Sequence, residues 1–310
     1  MTTQASTLVH PSVDDALGDR TGRFFGEGFK RVTHALTAID VAPATGRIEA
    51  TAGLHVPGTW SRKGEIQQRP HLSTIDAMLF AAQLTGLYTR HTFEHDPTRF
   101  AVRGVRIRAG ARPDEDGLDR FAASAVHVST HDGPGGEQIT VTDCRVGSMN
   151  VTVTAAHPAG TPVATPGCYA SADQLPGVWN QTPYGVDHHA QSQLLTDVRV
   201  DMETLRADAL LELTGPGVFT PIDLFVCALQ LGQVLLYELD GVDRGTSNTL
   251  WMRRTDITVV PAPVPAEDRF SARVERAQEL RTRQGTWRTG RIRAEHAGLS
   301  LACDVTHLLP

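Results

Sequence analysis

The chain has 310 residues, 40% of them hydrophobic, with 29 Lys and Arg against 35 Asp and Glu. That length and apolar content suit one large or two ordinary domains with real cores. A net charge of −6 argues against a protein that tracks a nucleic-acid backbone. The N-terminal MTTQASTLVHPSVDD has no basic segment ahead of an apolar one, so no secretory signal is expected. Apolar runs of about 10–14 residues, broken by Asp or Gln, are expected to be too short and too polar to span a bilayer. A cytoplasmic protein is expected. Cys144, Cys168, Cys227 and Cys303 show no CxxC spacing and read as reduced thiols.

In chain order, Arg47–His55 alternates at period two and predicts a strand. A loop with several cations follows, Pro57–Arg69 (PGTWSRKGEIQQR). Ser73 then opens a run of helical spacing, with Asp76 three residues on. This is the acidic form of a capping box and predicts a helix from about Ser73 to Tyr88. Alternation returns in Val102–Arg108, Phe121–Ser129, Gln138–Asp143 and Met149–Ala155. Residues 157–190, rich in Pro, Gly and polar side chains, read as a crossing linker.

The pattern then repeats. Leu194–Val200 and Ala209–Leu213 predict strands, and Thr220 with Asp223 repeats the cap, Pro221 taking the first helical position. This second helix is predicted from about Thr220 to Leu239, ending at Gly241. Strands follow at Leu250–Val260, Phe270–Arg276, Thr286–Arg293 and Leu299–Val305. PHLSTIDAMLFAAQL (Pro70–Leu84) and GVFTPIDLFVCALQL (Gly217–Leu231) superpose with Asp76 on Asp223 (223 − 76 = 147). Both helices are apolar nearly all round, as helices wrapped by protein are. The expected fold is therefore α+β, a double hotdog: two tandem repeats, each a long central helix gripped by a curled antiparallel sheet. Residues 1–156 form the first repeat with its N-terminal segment, and residues 191–310 form the second. A fused pair of this kind is expected as a monomer or a homodimer.

The candidate chemistry lies at the two helix starts. Asp76 and Asp223 cap their helices and are also candidates for catalysis, because a helix N-terminus stabilises an anion. Seven residues on and on the same face stand Gln83 and Gln230, expected with Thr220 to line a channel. His71, just ahead of the first cap, has Val218 as its counterpart. A histidine in one copy alone suggests a single working site, with His71 as general base oriented by Asp223 or Asp76. Trp60, Arg62 and Lys63, in a loop the second copy nearly lacks, are expected to bind substrate and would suit a phosphate. Asp187-His188-His189 carries ligand chemistry. Adjacent side chains on an extended segment point opposite ways, and no third ligand stands at a useful spacing, so no metal is expected. There is no Gly-x-Ser-x-Gly elbow, Walker loop or dinucleotide fingerprint.

RFFGEGFKRV (Arg23–Val32), PHLSTIDAMLFAAQL and CRVGSM (Cys144–Met149) together resemble the avirulence-D (AvrD) family across most of the first half. The chain is more distantly similar to A-factor synthase and to dehydratase double-hotdog proteins. The AvrD resemblance implies syringolide-type acyl-sugar biosynthesis. The implied enzyme is an acyltransferase or condensing enzyme. It would move a β-ketoacyl group from an acyl-carrier protein or CoA thioester to a hydroxyl of a xylulose-like acceptor. The thioester would be carried on phosphopantetheine or CoA, with no other cofactor. The dehydratase likeness implies the alternative of a dehydratase or cyclase acting on a β-hydroxy or β-ketoacyl intermediate. The His-x3-Gly-x4-Pro run of those enzymes is absent from the expected strand end. A non-catalytic acyl-binding module is the third reading. Nucleic-acid and membrane partners are not expected.

Overall fold

The computed structural model describes residues 7–175, 187–215, 218–260 and 269–310. The chain opens with β1 (Thr7–Ser12), α1 (Val13–Leu17), β2 (Thr33–Ala42) and β3 (Arg47–His55). A small hairpin, β4 (Arg62–Lys63) and β5 (Ile66–Gln67), leads to the long helix α2 (Thr74–Phe93). Next come β6 (Ala101–Arg108), β7 (Phe121–Asp132), β8 (Glu137–Val146), β9 (Met149–Pro158) and β10 (Gly167–Ser171). The later chain forms β11 (Ser192–Asp201), β12 (Arg206–Thr214) and α3 (Pro221–Asp240). It closes with β13 (Trp251–Val259), β14 (Arg269–Thr282), β15 (Gly285–His296) and β16 (Leu299–Leu308).

These elements fall into two compact units. One comprises Val32–Val56 and Pro70–His188 and contains α2. The other comprises the chain up to Arg31, Pro57–Arg69 and His189–Pro310, and contains α3. In the α2 unit the antiparallel strand order is β10-β2-β3-β7-β8-β9-β6. In the α3 unit it is β1-β11-β12-β14-β15-β16-β13. Apart from the edge strands β10 and β1, the two orders use elements in the same chain sequence around their helices. The units differ from the continuous halves 1–156 and 191–310. The first 31 residues and Pro57–Arg69 pack with α3. The segment read as a linker supplies β10 to the edge of the α2 sheet, and its residues 176–186 lie outside the described residues.

Both central helices begin as expected. Ser73 and Thr220 cap α2 and α3, and each capping box is complete. α2 runs past Tyr88 to Phe93 because Thr89, Thr92 and Phe93 stay buried. α3 ends at Asp240, with Gly241 in the left-handed conformation that a helix C-terminus favours. Against expectation, α3 is long and apolar enough to cross a membrane, with mean hydropathy 1.5 over its best window. Its polar interruptions do not lower the average enough to fail that test. With 89% of that window buried inside the protein, α3 is a core helix. It packs on β14, β15, β12, β16 and β11, as α2 packs on β9, β8, β7, β2, β6 and β3. All four cysteines are free.

Arg23–Arg31 folds as a short plug in the α3 unit. Its glycines are required by close approach: a Cβ on Gly26 would strike the Arg20 carbonyl, and one on Gly28 the Trp60 carbonyl. Phe24 lies 4.6 Å from the Trp60 ring and Phe25 lies 5.8 Å from Phe225 of α3.

In the α2 unit, the C-terminal end of the helix meets a buried histidine cluster. His95 stacks on His157 at 4.8 Å, and Thr89 and Thr140 hydroxyls bond their Nε2 atoms at 3.1 and 2.8 Å. Burial lowers both, His95 to about 4.

Two outcomes are expected. Gly28→Ala forces backbone apart in a packed plug and should cost about 3 kcal/mol, in the upper range for single substitutions; an unchanged urea midpoint would contradict the packing. Second, the unfolded chain takes up protons below pH 6.5 that buried His95 refuses. Stability is therefore full above about pH 6.5 and falls as pH drops toward 4, with His95 contributing about 2 kcal/mol of loss at pH 5. Urea titrations at pH 7.5 and 5 should show the loss, and His95→Gln should shrink it.

Candidate functional site

The start of α2 holds a buried carboxylate with two distinct partners. One oxygen of Asp76 accepts the Ser73 backbone N–H at 2.8 Å, which completes the cap. The other is 2.7 Å from Nε2 of His34, the second residue of β2. The side chains of His34 and Asp76 are only 4% and 2% exposed. Strand alternation turns His34 inward with Leu36. Around it stand Phe80, with ring centres 5.2 Å apart, and His188, at 6.0 Å. Phe80 in turn meets Phe121 at 5.7 Å. A carboxylate so enclosed needs partners for both oxygens. His34 and the cap supply them.

The start of α3 solves the same problem differently. Asp223 accepts the Thr220 backbone N–H at 2.7 Å and its hydroxyl at 2.6 Å. The Gln191 and Gln193 amides donate to its two oxygens at 2.7 and 2.5 Å. Burial raises the Asp223 pKa, and the Thr220, Gln193 and Gln191 bonds oppose that rise. Gln193 is the second residue of β11, the position His34 takes in β2. Each hydrogen-bonds the helix-cap aspartate of its own unit. A glutamine amide can hold a carboxylate but cannot exchange a proton near neutral pH. An imidazole does both.

The remaining sequence candidates are placed as follows. Asp76 takes its histidine from β2, so the partner expected from His71 is His34. His71 is half-buried at the mouth of α2. It belongs to the α2 unit, and Asp223 belongs to the α3 unit. Gln83 is half-buried on α2. Gln230 is buried, and its amide oxygen accepts Arg23 Nη1 at 2.9 Å. Arg23 also pairs with Asp14. Burial lowers it to about 10, opposed by Asp14. Gln230 thus anchors the N-terminal plug. Trp60, 5% exposed, is packed under Phe24. Arg62 is exposed on β4. Lys63 is half-buried and donates to the Ser247 carbonyl at 3.0 Å, with Asn248 also accepting. His188, set aside as a ligand because its neighbours diverge, meets His34 from a strand far earlier in the chain.

Sequence reading missed His34. The signal was present: THALTAIDVA alternates, with its histidine on the inward face. The strand is built of Thr and Ala, and its partner lies 42 residues away.

A search of curated proteins returns no match. Among solved structures, the chain is similar to the 12:0-ACP thioesterase from Umbellularia californica. The identity is 8% and the TM-score 0.39, over 84% of this chain and 94% of that one. A tesB protein of Mycobacterium avium subspecies paratuberculosis aligns at 10% identity and TM-score 0.38, over 84% and 92%. A trans-AT PKS dehydratase domain from Brevibacillus brevis aligns at 13% identity and TM-score 0.33, over 85% and 93%. The strings at Arg23–Val32, Pro70–Leu84 and Cys144–Met149 sit inside a far longer match. Residues 8–310 match the family described as Pseudomonas avirulence D protein, and the chain belongs to the AvrD family.

Proposed function

We propose that this protein is an acyltransferase of double-hotdog architecture. In this reading it moves a β-ketoacyl group from a carrier-protein or CoA thioester to a hydroxyl of a sugar-like acceptor. The observation that carries the reading is the buried His34–Asp76 pair, present at one helix start and replaced by Gln193 with Asp223 at the other. The matching strand orders support a pair of repeats, one retaining proton-transfer chemistry.

Asp76 accepts a hydrogen bond from Nε2 of His34, which leaves Nδ1 to take the proton of the acceptor hydroxyl. The alkoxide oxygen attacks the thioester carbonyl carbon. Backbone N–H groups in the first turn of α2, with the helix dipole behind them, hold the oxyanion. Collapse breaks the carbon–sulfur bond, and the thiolate leaves with the proton returned by the imidazolium. The ester oxygen comes from the acceptor, so no water is consumed and no other cofactor is required.

A cavity of about 440 Å³ in the same unit suits the acceptor. It is lined by Leu72, Phe121, Arg112, Asp114, Glu115 and Asp116. Leu72 directly precedes the α2 cap, and Phe80 contacts both the Phe121 ring and His34. Carboxylates and a guanidinium together match a polyol, which both donates and accepts hydrogen bonds.

Transfer from a β-ketoacyl thioester to a pentulose, followed by mass spectrometry, tests the reading. His34→Gln, which installs the residue of the other unit, should lower kcat about 10²–10³-fold, the usual range for losing a general base. Undiminished turnover in His34→Gln with loss in His71→Ala would place the base on His71 and overturn this assignment. Water loss from a 3-hydroxyacyl thioester without any acceptor would replace transfer by dehydration.

A further inference from the structure

In the α3 unit the β4–β5 hairpin is latched to the loop that follows α3. Lys63 donates to the Ser247 carbonyl at 3.0 Å and to its hydroxyl at 3.3 Å, and Asn248 accepts as well. Arg244 donates to Ser61 Oγ at 3.3 Å. Two half-buried cations are thereby held near each other. Among the described residues, no carboxylate lies within ion-pair distance of either. Burial and the Arg244 charge push Lys63 down to about 8, and burial lowers Arg244 as well. A fold that keeps two like charges together without a counter-ion stores electrostatic energy that an anion would release.

Arg244 also lines a cavity of about 830 Å³, together with Arg31, Arg62, Asp15, Asp19 and Asp243. Two of these carboxylates already serve local turns. Asp19 accepts the Thr21 N–H and hydroxyl at 2.9 and 2.7 Å, and Asp15 accepts the Ser12 hydroxyl at 2.5 Å. Arg31 is likewise committed, donating to the Thr59 and Thr21 carbonyls. Arg62 and Arg244, the latter bonded among the described residues only to the Ser61 hydroxyl, line the cavity with one further carboxylate, Asp243, and Lys63 adjoins Arg62 in β4. Guanidinium forks match phosphate oxygens bidentately, and a lysine adds point charge.

We propose that this cavity is a phosphate-ester site, with Arg62 and Arg244 on the phosphate oxygens and Lys63 completing the charge balance. The ester is the phosphate of a pantetheine carrier or, if the acceptor binds here rather than beside Leu72 and Phe121, that of a phosphorylated sugar. The choice of ligands rests on the proposed transfer reaction, while binding is read without turnover.

Calorimetric titration of the full chain at pH 7.5 tests the site with two ligand pairs. These are pantetheine 4′-phosphate against pantetheine, and a pentulose 5-phosphate against the free pentulose. At least one phosphorylated ligand should bind ten-fold or more tighter than its unphosphorylated partner, and the pair that does so identifies the source. Arg244→Gln and the surface variant Arg62→Gln should each weaken that binding ten-fold or more. Equal affinity within both pairs would overturn the proposal, as would phosphate binding that survives both variants.

Discussion

A carboxylate buried at the start of a buried helix is the constraint on which this structure turns. α2 and α3 are enclosed nearly all round, so their first-turn N–H groups cannot rely on water. The Ser73 and Thr220 hydroxyls accept the Asp76 and Asp223 N–H groups, and the two carboxylates accept the N–H of Ser73 and Thr220 in return, which takes them out of solvent. A buried carboxylate is tolerable only when every oxygen has a donor. The strand ahead of each helix must therefore supply one. β2 supplies His34 and β11 supplies Gln193. A structural need present in both units admits a titratable answer in one and a neutral answer in the other. The two units diverge at this position.

The N-terminal plug belongs to the same economy of buried polar groups. Gln230 sits two turns beyond Asp223 on α3 and would be an isolated amide in an apolar surround. Arg23 meets it at 2.9 Å and is neutralised by Asp14 in turn. The two glycines of the string let the chain pass against the Arg20 and Trp60 carbonyls. The family string thus packs against α3 through Arg23 and Phe25.

Local relations were legible in the sequence and distant ones were not. The capping boxes depend on residues three apart and were found with their correct members. The two helices and most strands followed from periodicity. β2 was missed because its Thr and Ala side chains carry a weak alternating signal. With it went His34, whose partner lies 42 residues on. Gln191 and Gln193, beside a strand that was predicted, were missed because their partner Asp223 lies 32 and 30 residues on. The asymmetry between copies was sought at His71 and Val218, beside the caps, whereas the structure places another one residue into a strand. The edges were illegible too. β1 joins the sheet around α3 and β10 the sheet around α2, pairings that no local pattern encodes. Lys63 was picked out as a cation, but its burial against Ser247 and Asn248 depends on a contact 184 residues away.

The central claim is that Asp76 fixes His34 as an oriented base. Nitrogen-15 NMR of histidine-labelled protein at pH 7.5 tests it directly, since the ring nitrogens report the tautomer. The account predicts that neutral His34 carries its proton on Nε2, toward Asp76, and that Asp76→Asn removes this preference. A proton on Nδ1 of neutral His34, or a ring signal indifferent to Asp76→Asn, would contradict it.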